Sequence, residues 1–420
     1  MVHQTMKIRT PRAAKASSNS NHMRFLFPYP PFTSPRRQGG FARALGALIL
    51  GTLAACGTVP EDAAPPLPPD TAAVPAQLPA IEQPRSRWVP VPWDALPGWQ
   101  ADQVGLAWPA LLRSCERPAP AWAEVCKEAR ALPMPDERSV RDWLQRRLQP
   151  YQVQNRDDGR PDGLITGYYE PLVDASREAR GAYRVPLHQP PADLGQRQPY
   201  WSRAELDTVP AARAALRGRE IAYVADPLDV LVLQIQGSGR LQVTERDGSK
   251  RLVRVAFAGH NQHPYRSVGR WLVDQGAFSL EQASWPAIKQ WARANPTRVQ
   301  QMLHVNPRVV FFREEPLLDP TIGPVGAQGV PLTPGRSIAV DRESVPYGTP
   351  VWIDTTEPLL QPGAPARPLQ RLVVAQDTGS AIVGAVRADY FWGWTEGAGE
   401  YAGRMKQPLR MWALWPRSPS

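Results

Sequence analysis

The stretch from Arg371 to Trp394, RLVVAQDTGSAIVGAVRADYFWGW, constrains the fold more than any other part of the chain. Its opening run, Leu372, Val373, Val374 and Ala375, has the length and composition of a buried strand. The strand delivers Asp377 to a Thr-Gly turn. After a small, glycine-containing segment a second acid, Asp389, stands directly before Tyr390, Phe391 and Trp392. Apolar walls raise a carboxyl pKa and keep a proton available for a leaving oxygen, so an acid beside aromatic rings suits sugar chemistry. An Asp at a strand end also serves as a turn or capping residue, and spacing alone leaves both readings open. A third acid, Asp341, lies in GRSIAVDRESVPYGTPVWID, after a strand Ser337–Val340 and before a turn that leads to another strand, Val351–Asp354. Three acids placed after apolar strands in one C-terminal β-rich segment can converge on one cleft.

The net charge of +10 invites a nucleic-acid reading, but residues 1–55 hold eight Lys and Arg and no acid, so removing those eight leaves +2 for the rest. No basic tract with interleaved aromatics remains downstream. The leader instead has the parts of a secretory signal: Arg36, Arg37 and Arg43, the apolar run Ala44–Leu53, then small residues. That run is too short to span a bilayer as a helix. It ends in Leu53-Ala54-Ala55-Cys56, which resembles the lipobox of bacterial lipoproteins. The resemblance implies cleavage before Cys56 and acylation of its sulfur, a membrane anchor made of lipid. With Gly57 rather than Asp next, it also implies sorting to the outer membrane. Residues 57–85 are rich in Pro and Ala without an apolar period and read as an extended tether. The folded part is expected to begin around Trp88. Of three cysteines, Cys115 and Cys126 remain as a possible pair in an oxidising compartment, in two segments that read as helices; two buried thiols are the alternative.

A helix is expected over Glu137–Leu148, capped by Asp136, with Val140, Trp143, Leu144 and Leu148 on one face. LITGYYEPLV reads as one strand that alternates Thr166, Tyr168 and Glu170 with Gly167 and Tyr169. The middle of the chain, 176–313, reads as mostly strands with one helical insert. Val230–Gln236 and Leu241–Val243 flank Gly237-Ser238-Gly239 as a hairpin, with Gln234 and Gln236 on one face, and Leu252–Ala258 follows as a strand. Helical patterning runs after Tyr265 through Leu272, and again from Leu280 through Trp291. His260 and His263 form an H-x-x-H without a third ligand, so no metal is expected.

Asp377-Thr378-Gly379-Ser380 looks like the active-site turn of aspartic proteases, where two such Asp share a proton. That chemistry needs a second copy of the motif, and the chain has none, since Asp354 is followed by Thr355-Thr356. More of the chain, about 93–416, resembles the membrane-bound lytic murein transglycosylase A family. The shared motifs, in order, are TGYYEP (166–171), LQIQGSGRL (233–241), AGHNQHPYRSVG (258–269), NPRVVFFR (306–313), GVPLTPGRSIAVDRESVPYGTP (329–350), QDTGSAI (376–382) and RADYFWGWTEGAGEYAGRM (387–405). The C-terminal part also looks like the 3D domain, whose three aspartates correspond to Asp341, Asp377 and Asp389.

The resemblance implies a mainly β fold with N-terminal helices: a double-psi β-barrel-like main domain with a smaller β-rich domain inserted. Expected boundaries are 1–55 leader, 56–87 lipidated Cys and tether, 88–175 first part of the main domain, 176–315 insert, and 316–420 the catalytic remainder, with a glycan groove between the domains. The implied enzyme is a peptidoglycan lytic exotransglycosylase. It cleaves the β-1,4 bond between N-acetylmuramic acid and N-acetylglucosamine without water and leaves a 1,6-anhydromuramoyl end. Asp389 is implied as the single acid and base, Asp377 as a supporting acid, and Asp341 as structural. Tyr168, Glu170, Gln236, Ser238 and Arg240 are implied as groove residues; Glu170 is also an acid that could alter the chemistry. No cofactor is implied. Expected partners are peptidoglycan glycan strands, the membrane through the lipid, and cell-wall synthesis enzymes. Nucleic acid is not among them, and the chain is expected to be a monomer on the periplasmic face of the outer membrane. A non-catalytic peptidoglycan-binding lipoprotein stays as the other reading.

Overall fold

A computed structural model describes residues 78–132, 135–280, 282–361, 363 and 365–417. The leader, Cys56 and residues 57–77 of the tether lie outside these residues; the folded part begins before the expected Trp88, since Ile81–Glu82 already pairs as a strand with Ser86–Pro90. Fifteen strands occur in chain order: β1 Ile81–Glu82, β2 Ser86–Pro90, β3 Leu148–Asn155, β4 Gly163–Tyr168, β5 Leu172–Ser176, β6 Val185–His188, β7 Glu220–Val224, β8 Ser238–Thr244, β9 Lys250–His260, β10 Val310–Pro316, β11 Ser337–Val340, β12 Pro350–Thr356, β13 Pro368–Asp377, β14 Arg387–Phe391 and β15 Lys406–Pro416.

Nine strands form one sheet, ordered β1-β2-β3-β15-β12-β13-β11-β14-β4. The long last strand, β15, also pairs with β4 through Lys406–Leu409, so β4, β14, β11, β13, β12 and β15 close into a ring. Closure leaves those strands without a free edge. Alternation along each strand sorts the side chains. Ile165, Ile338, Val340, Val351, Ile353, Val373, Ala388, Tyr390 and Met411 fill the interior. Trp352, Leu372, Trp412 and Leu414 face the opposite way, onto the N-terminal helices.

Those helices are α1 Trp108–Ser114, α2 Ala123–Ala131 and α3 Glu137–Arg147. The Asp136 carboxylate accepts from the Ser139 amide at 2.8 Å and caps α3, whose Val140, Trp143 and Leu144 are buried. Trp108 and Trp143 meet edge to face at 5.0 Å, and Trp99 meets Trp352 at 5.1 Å, which joins the helical layer to the sheet. A disulfide joins Cys115, at the end of α1, to Cys126 in α2.

The second sheet has six strands, ordered β10-β9-β8-β5-β7-β6, all between Leu172 and Pro316. Three expectations fail in this region. TGYYEPLV is not one strand: β4 ends at Tyr168 in the first sheet and β5 begins at Leu172 in the second, so Glu170 lies in the crossing between them. Val230–Gln236 is not a strand but part of a helix, Pro227–Gln236, and Gly237 ends that helix rather than turning a hairpin. Asp226 caps it by accepting from the Leu228 amide at 2.8 Å, and Gly237 stops it in the left-handed conformation at φ 79°. Leu228 and Leu231 pack into one cluster while Val230 and Leu233 pack into another. A helix buried on both sides is apolar all round, and its run is indistinguishable by pattern from a buried strand. Finally, the region holds several helices rather than one insert: Arg203–Thr208, Pro210–Ala215, Val268–Asp274, Trp285–Ala294 and Val299–Val305 join the helix already described, and the Leu280–Trp291 patterning starts later than expected. Helices are therefore not confined to the N-terminal side.

Candidate active site

The neighbouring strands β13, β11, β14 and β4 set the site. Ala339 of β11 is in register with Asp377 on one side and Asp389 on the other, and Asp389 is in register with Thr166 of β4. Between Ile338 and Ala339 the β11–β13 register slips, skipping Gln376 and bringing Asp377 level with Ala339. Such bulges re-aim side chains at the ends of paired strands. Ala339 contributes only a methyl group between the two acids, leaving the row open.

Asp389 is enclosed, with 19% of its side chain exposed. Burial pushes its carboxyl up to about 6, and the nearby Asp377 charge adds to the rise while Arg387 opposes it. The Arg387 guanidinium lies 3.4 Å from Asp389 Oδ1 and donates to Thr166 Oγ1 at 2.8 Å. Asp377 is held differently. Its Oδ1 accepts from the amides of Ala327 and Thr378, both at 2.9 Å, and its Oδ2 accepts from the Tyr168 hydroxyl at 3.1 Å. Burial raises this carboxyl too, while the three donors pull it back toward the ionised form. The turn itself is anchored by the Thr378 hydroxyl, which donates to Val340 O at 2.7 Å. Tyr168 is raised well above the ordinary phenol range by burial and by the two acids, so it stays a donor. Burial thus raises both carboxyls of the row, while only Asp377 is held by three hydrogen-bond donors, so the two acids sit in different environments.

Asp341 is not in this row. Its carboxylate accepts from the Glu343 and Gly384 amides at 3.0 and 2.9 Å and pairs with Arg85 at 3.1 Å, which binds the loops below the site. Glu170 is no free acid: its fully buried side chain lies between Arg240 and Arg254 at 2.8 and 2.6 Å. Arg240 is buried with it and stacks on Trp394 at 4.0 Å. Gln236 accepts from the Tyr169 amide at 3.0 Å through its side chain. Ser238 sits at the start of β8 opposite Ala256. His260 accepts from the Gln262 amide and His263 meets Tyr200 O, so each ring is engaged locally. Among the described residues no cluster of His, Cys, Asp and Glu has metal-ligand geometry.

Arg387, Thr166, Ala339 and Arg254 escaped the sequence reading. Arg387 stands two residues before Asp389, and strand periodicity alone puts the two on one face. Thr166 and Ala339 are recognisable only once strand order is known. Arg254 is 84 residues from Glu170, and no local signal links them.

The sequence model of the MltA specific insert domain matches residues 164–313, and that of the 3D domain matches residues 336–415. The solved lytic transglycosylase LtgG of Burkholderia pseudomallei is similar at 48% identity, covering 79% of this chain and 96% of that one, with a TM-score of 0.56. MltA from Neisseria gonorrhoeae shares 30% identity over 81% of this chain and 96% of that one, with a TM-score of 0.68. The Escherichia coli (strain K12) protein named membrane-bound lytic murein transglycosylase A is 34% identical over 255 residues, 60% of this chain. That alignment spans 65% of the Escherichia coli relative, just under two thirds of its length. An Escherichia coli MltA structure with bound chitohexaose superimposes with a TM-score of 0.59 at 27% identity, covering 81% of this chain and 94% of that one.

Proposed function

The chain belongs to the membrane-bound lytic murein transglycosylase A family, and from that premise we propose that it cleaves the β-1,4 bond between N-acetylmuramic acid and N-acetylglucosamine in peptidoglycan by a single carboxyl, Asp389. The support is Asp389 itself, a carboxyl pushed up to about 6 and set in register with a differently held Asp377. Protonated Asp389 donates to the glycosidic oxygen as the C1–O bond breaks, so the N-acetylglucosamine leaves as an alcohol. The resulting carboxylate takes the proton from the C6 hydroxyl of the muramoyl residue while that oxygen bonds to C1. The sugar closes into a 1,6-anhydro ring, the acid is restored, and no water enters. The second carboxylate that a hydrolase uses to activate water or form a glycosyl ester is not required.

Asp377 is held by three donors and, when charged, adds to the raised proton affinity of Asp389. Arg387 limits that rise and, with Thr166, orients the carboxyl. Tyr168, Gln236 and Ser238 border the glycan in this reading, with a double-psi main domain on one side and an inserted domain, residues 176–315, on the other. The chitohexaose bound to Escherichia coli MltA, a β-linked N-acetylhexosamine chain, supports a glycan ligand in this reading. A lipid on Cys56 and the tether at 57–85 would hold the enzyme at the periplasmic face of the outer membrane; Cys56 and residues 57–77 lie outside the described residues. Among the described residues no helix is long and apolar enough to cross a membrane.

Purified protein incubated with peptidoglycan tests the reading by mass spectrometry. Muropeptides one water lighter than hydrolysis products, lost with Asp389→Asn, are expected. Products with free reducing ends would make the protein a hydrolase. Binding without any cleavage would make it a peptidoglycan-binding lipoprotein.

A further inference from the structure

Among the described residues two passes of the chain connect the two sheets, the Tyr169–Pro171 crossing from β4 to β5 and the return from β10 to β11 after Pro316. One buried cluster fastens both. Glu170, in the first pass, receives Arg240 Nε of β8 at 2.8 Å and Arg254 Nε of β9 at 2.6 Å. The same two guanidinium groups donate to carbonyls of the second pass: Arg240 to Pro320 O at 2.7 Å and Ile322 O at 3.2 Å, and Arg254 to Ile322 O at 2.6 Å. The side chains are 0% exposed for Glu170, 5% for Arg240 and 7% for Arg254, so water screens the cluster little.

The cluster is also tied to the strand that carries Asp389. The Glu170 amide donates to Gly393 O at 2.8 Å, and the Trp392 amide donates to Tyr168 O at 2.9 Å. Arg240 stacks on Trp394 at 4.0 Å, and its own amide donates to Pro171 O at 2.7 Å. Tyr168, two residues before Glu170, is the residue whose hydroxyl reaches Asp377. Two buried cations facing one carboxylate hold together only while that carboxylate is charged, because removing one partner leaves uncompensated charge inside the protein.

We propose that Glu170 is a positioning residue: with Arg240 and Arg254 it forms a charge clasp across the junction of the two sheets that holds Tyr168 on Asp377 and sets the approach of substrate to Asp389. The inference rests on the transglycosylase reading given above. Glu170→Gln removes the carboxylate and leaves two adjacent buried guanidinium groups to repel one another. Misplacement of a site by about 1 Å costs on the order of 100-fold in rate.

The test compares wild type, Glu170→Gln, Glu170→Asp and the double variant Glu170→Gln with Arg254→Gln, which restores the net charge of the cluster. Release of anhydromuropeptides is measured at a temperature where near-ultraviolet circular dichroism shows every variant folded. For Glu170→Gln, kcat is expected to fall by about 30- to 100-fold with KM changed less than threefold. The charge-restoring double variant and Glu170→Asp are each expected to recover at least tenfold. A purely structural Glu170 would lower the unfolding midpoint yet leave the folded enzyme at wild-type kcat, and that result overturns the proposal. So does a double variant no better than Glu170→Gln. Absence of anhydromuropeptides from the wild type overturns the transglycosylase reading first, and this inference falls with it.

Discussion

Tyr168 and Asp377 are 209 residues apart, and the hydroxyl of the first donates to Oδ2 of the second at 3.1 Å. The bond links β4, at one end of the four-strand row, to the end of β13 at the other. Tyr168→Phe removes the donor and leaves the ring. A hydrogen bond to a charged group contributes about 1.5–3 kcal/mol, so a loss of activity of roughly 10- to 100-fold is expected, measured as kcat/KM on purified peptidoglycan.

In the proposed reaction the pH profile reports Asp389. Its carboxyl must be protonated to donate, so activity is expected to fall as pH rises through about 6. Asp377→Asn removes the neighbouring negative charge, which lowers the proton affinity of Asp389 and moves the falling limb to lower pH. Arg387→Met removes an opposing cation and moves the limb to higher pH. Opposite shifts from the two variants, read from kcat/KM against pH, are the expected outcome.

Stability should respond with a definite sign. The folded state holds the Asp389 proton up to about 6, above the ordinary value of 3.8. Between those values it binds more protons than the unfolded chain, so stability falls as pH rises across that window. The gap corresponds to about 3 kcal/mol at neutral pH. Asp389→Asn should therefore raise the thermal midpoint at pH 7 and raise it less at pH 4, by scanning calorimetry.

Gly167 tests the close approach of β4 to its cover. A Cβ there would meet Trp392 Nε1 at 2.8 Å and the Ala402 backbone at 2.9 Å. Overpacking of this kind costs about 1–3 kcal/mol. Gly167→Ala is expected to lower the urea midpoint by that amount and to reduce activity, because the displaced strand carries Thr166 and Tyr168.

The Cys115–Cys126 bridge closes a loop over a sequence separation of 11 residues. By the loop-entropy relation a bridge of that span stabilises by about 3 kcal/mol. A Cys115→Ser, Cys126→Ser double variant should unfold at lower urea while retaining the pH profile, since neither residue touches the acid row.

The acid row was legible because its parts are local. The strand Ser337–Val340 appears with the bounds its apolar run suggests, and Asp377 ends its strand as expected, whereas Asp389 lies in the middle of β14 rather than at a strand end. What the sequence could not carry was register: the slip that skips Gln376, the methyl gap at Ala339, and the pairing of Thr166 with Asp389 all depend on strand order. Pro227–Gln236 misled because a helix buried on both faces loses its 3.6-residue signature. Glu170 misled for a related reason. An acid among groove motifs reads as accessible, and only the distant Arg240 and Arg254 show that it is locked inside.

Strand β15 shuts the ring by pairing with β4, β12 and β3 along Lys406–Pro416. Without β15 the ring cannot close, and β12 and β4 are left as open edges on either side of the strands that carry Asp377 and Asp389. Removal of Lys406–Pro416 should therefore open the ring and expose the edges of its neighbours, lowering activity in one step.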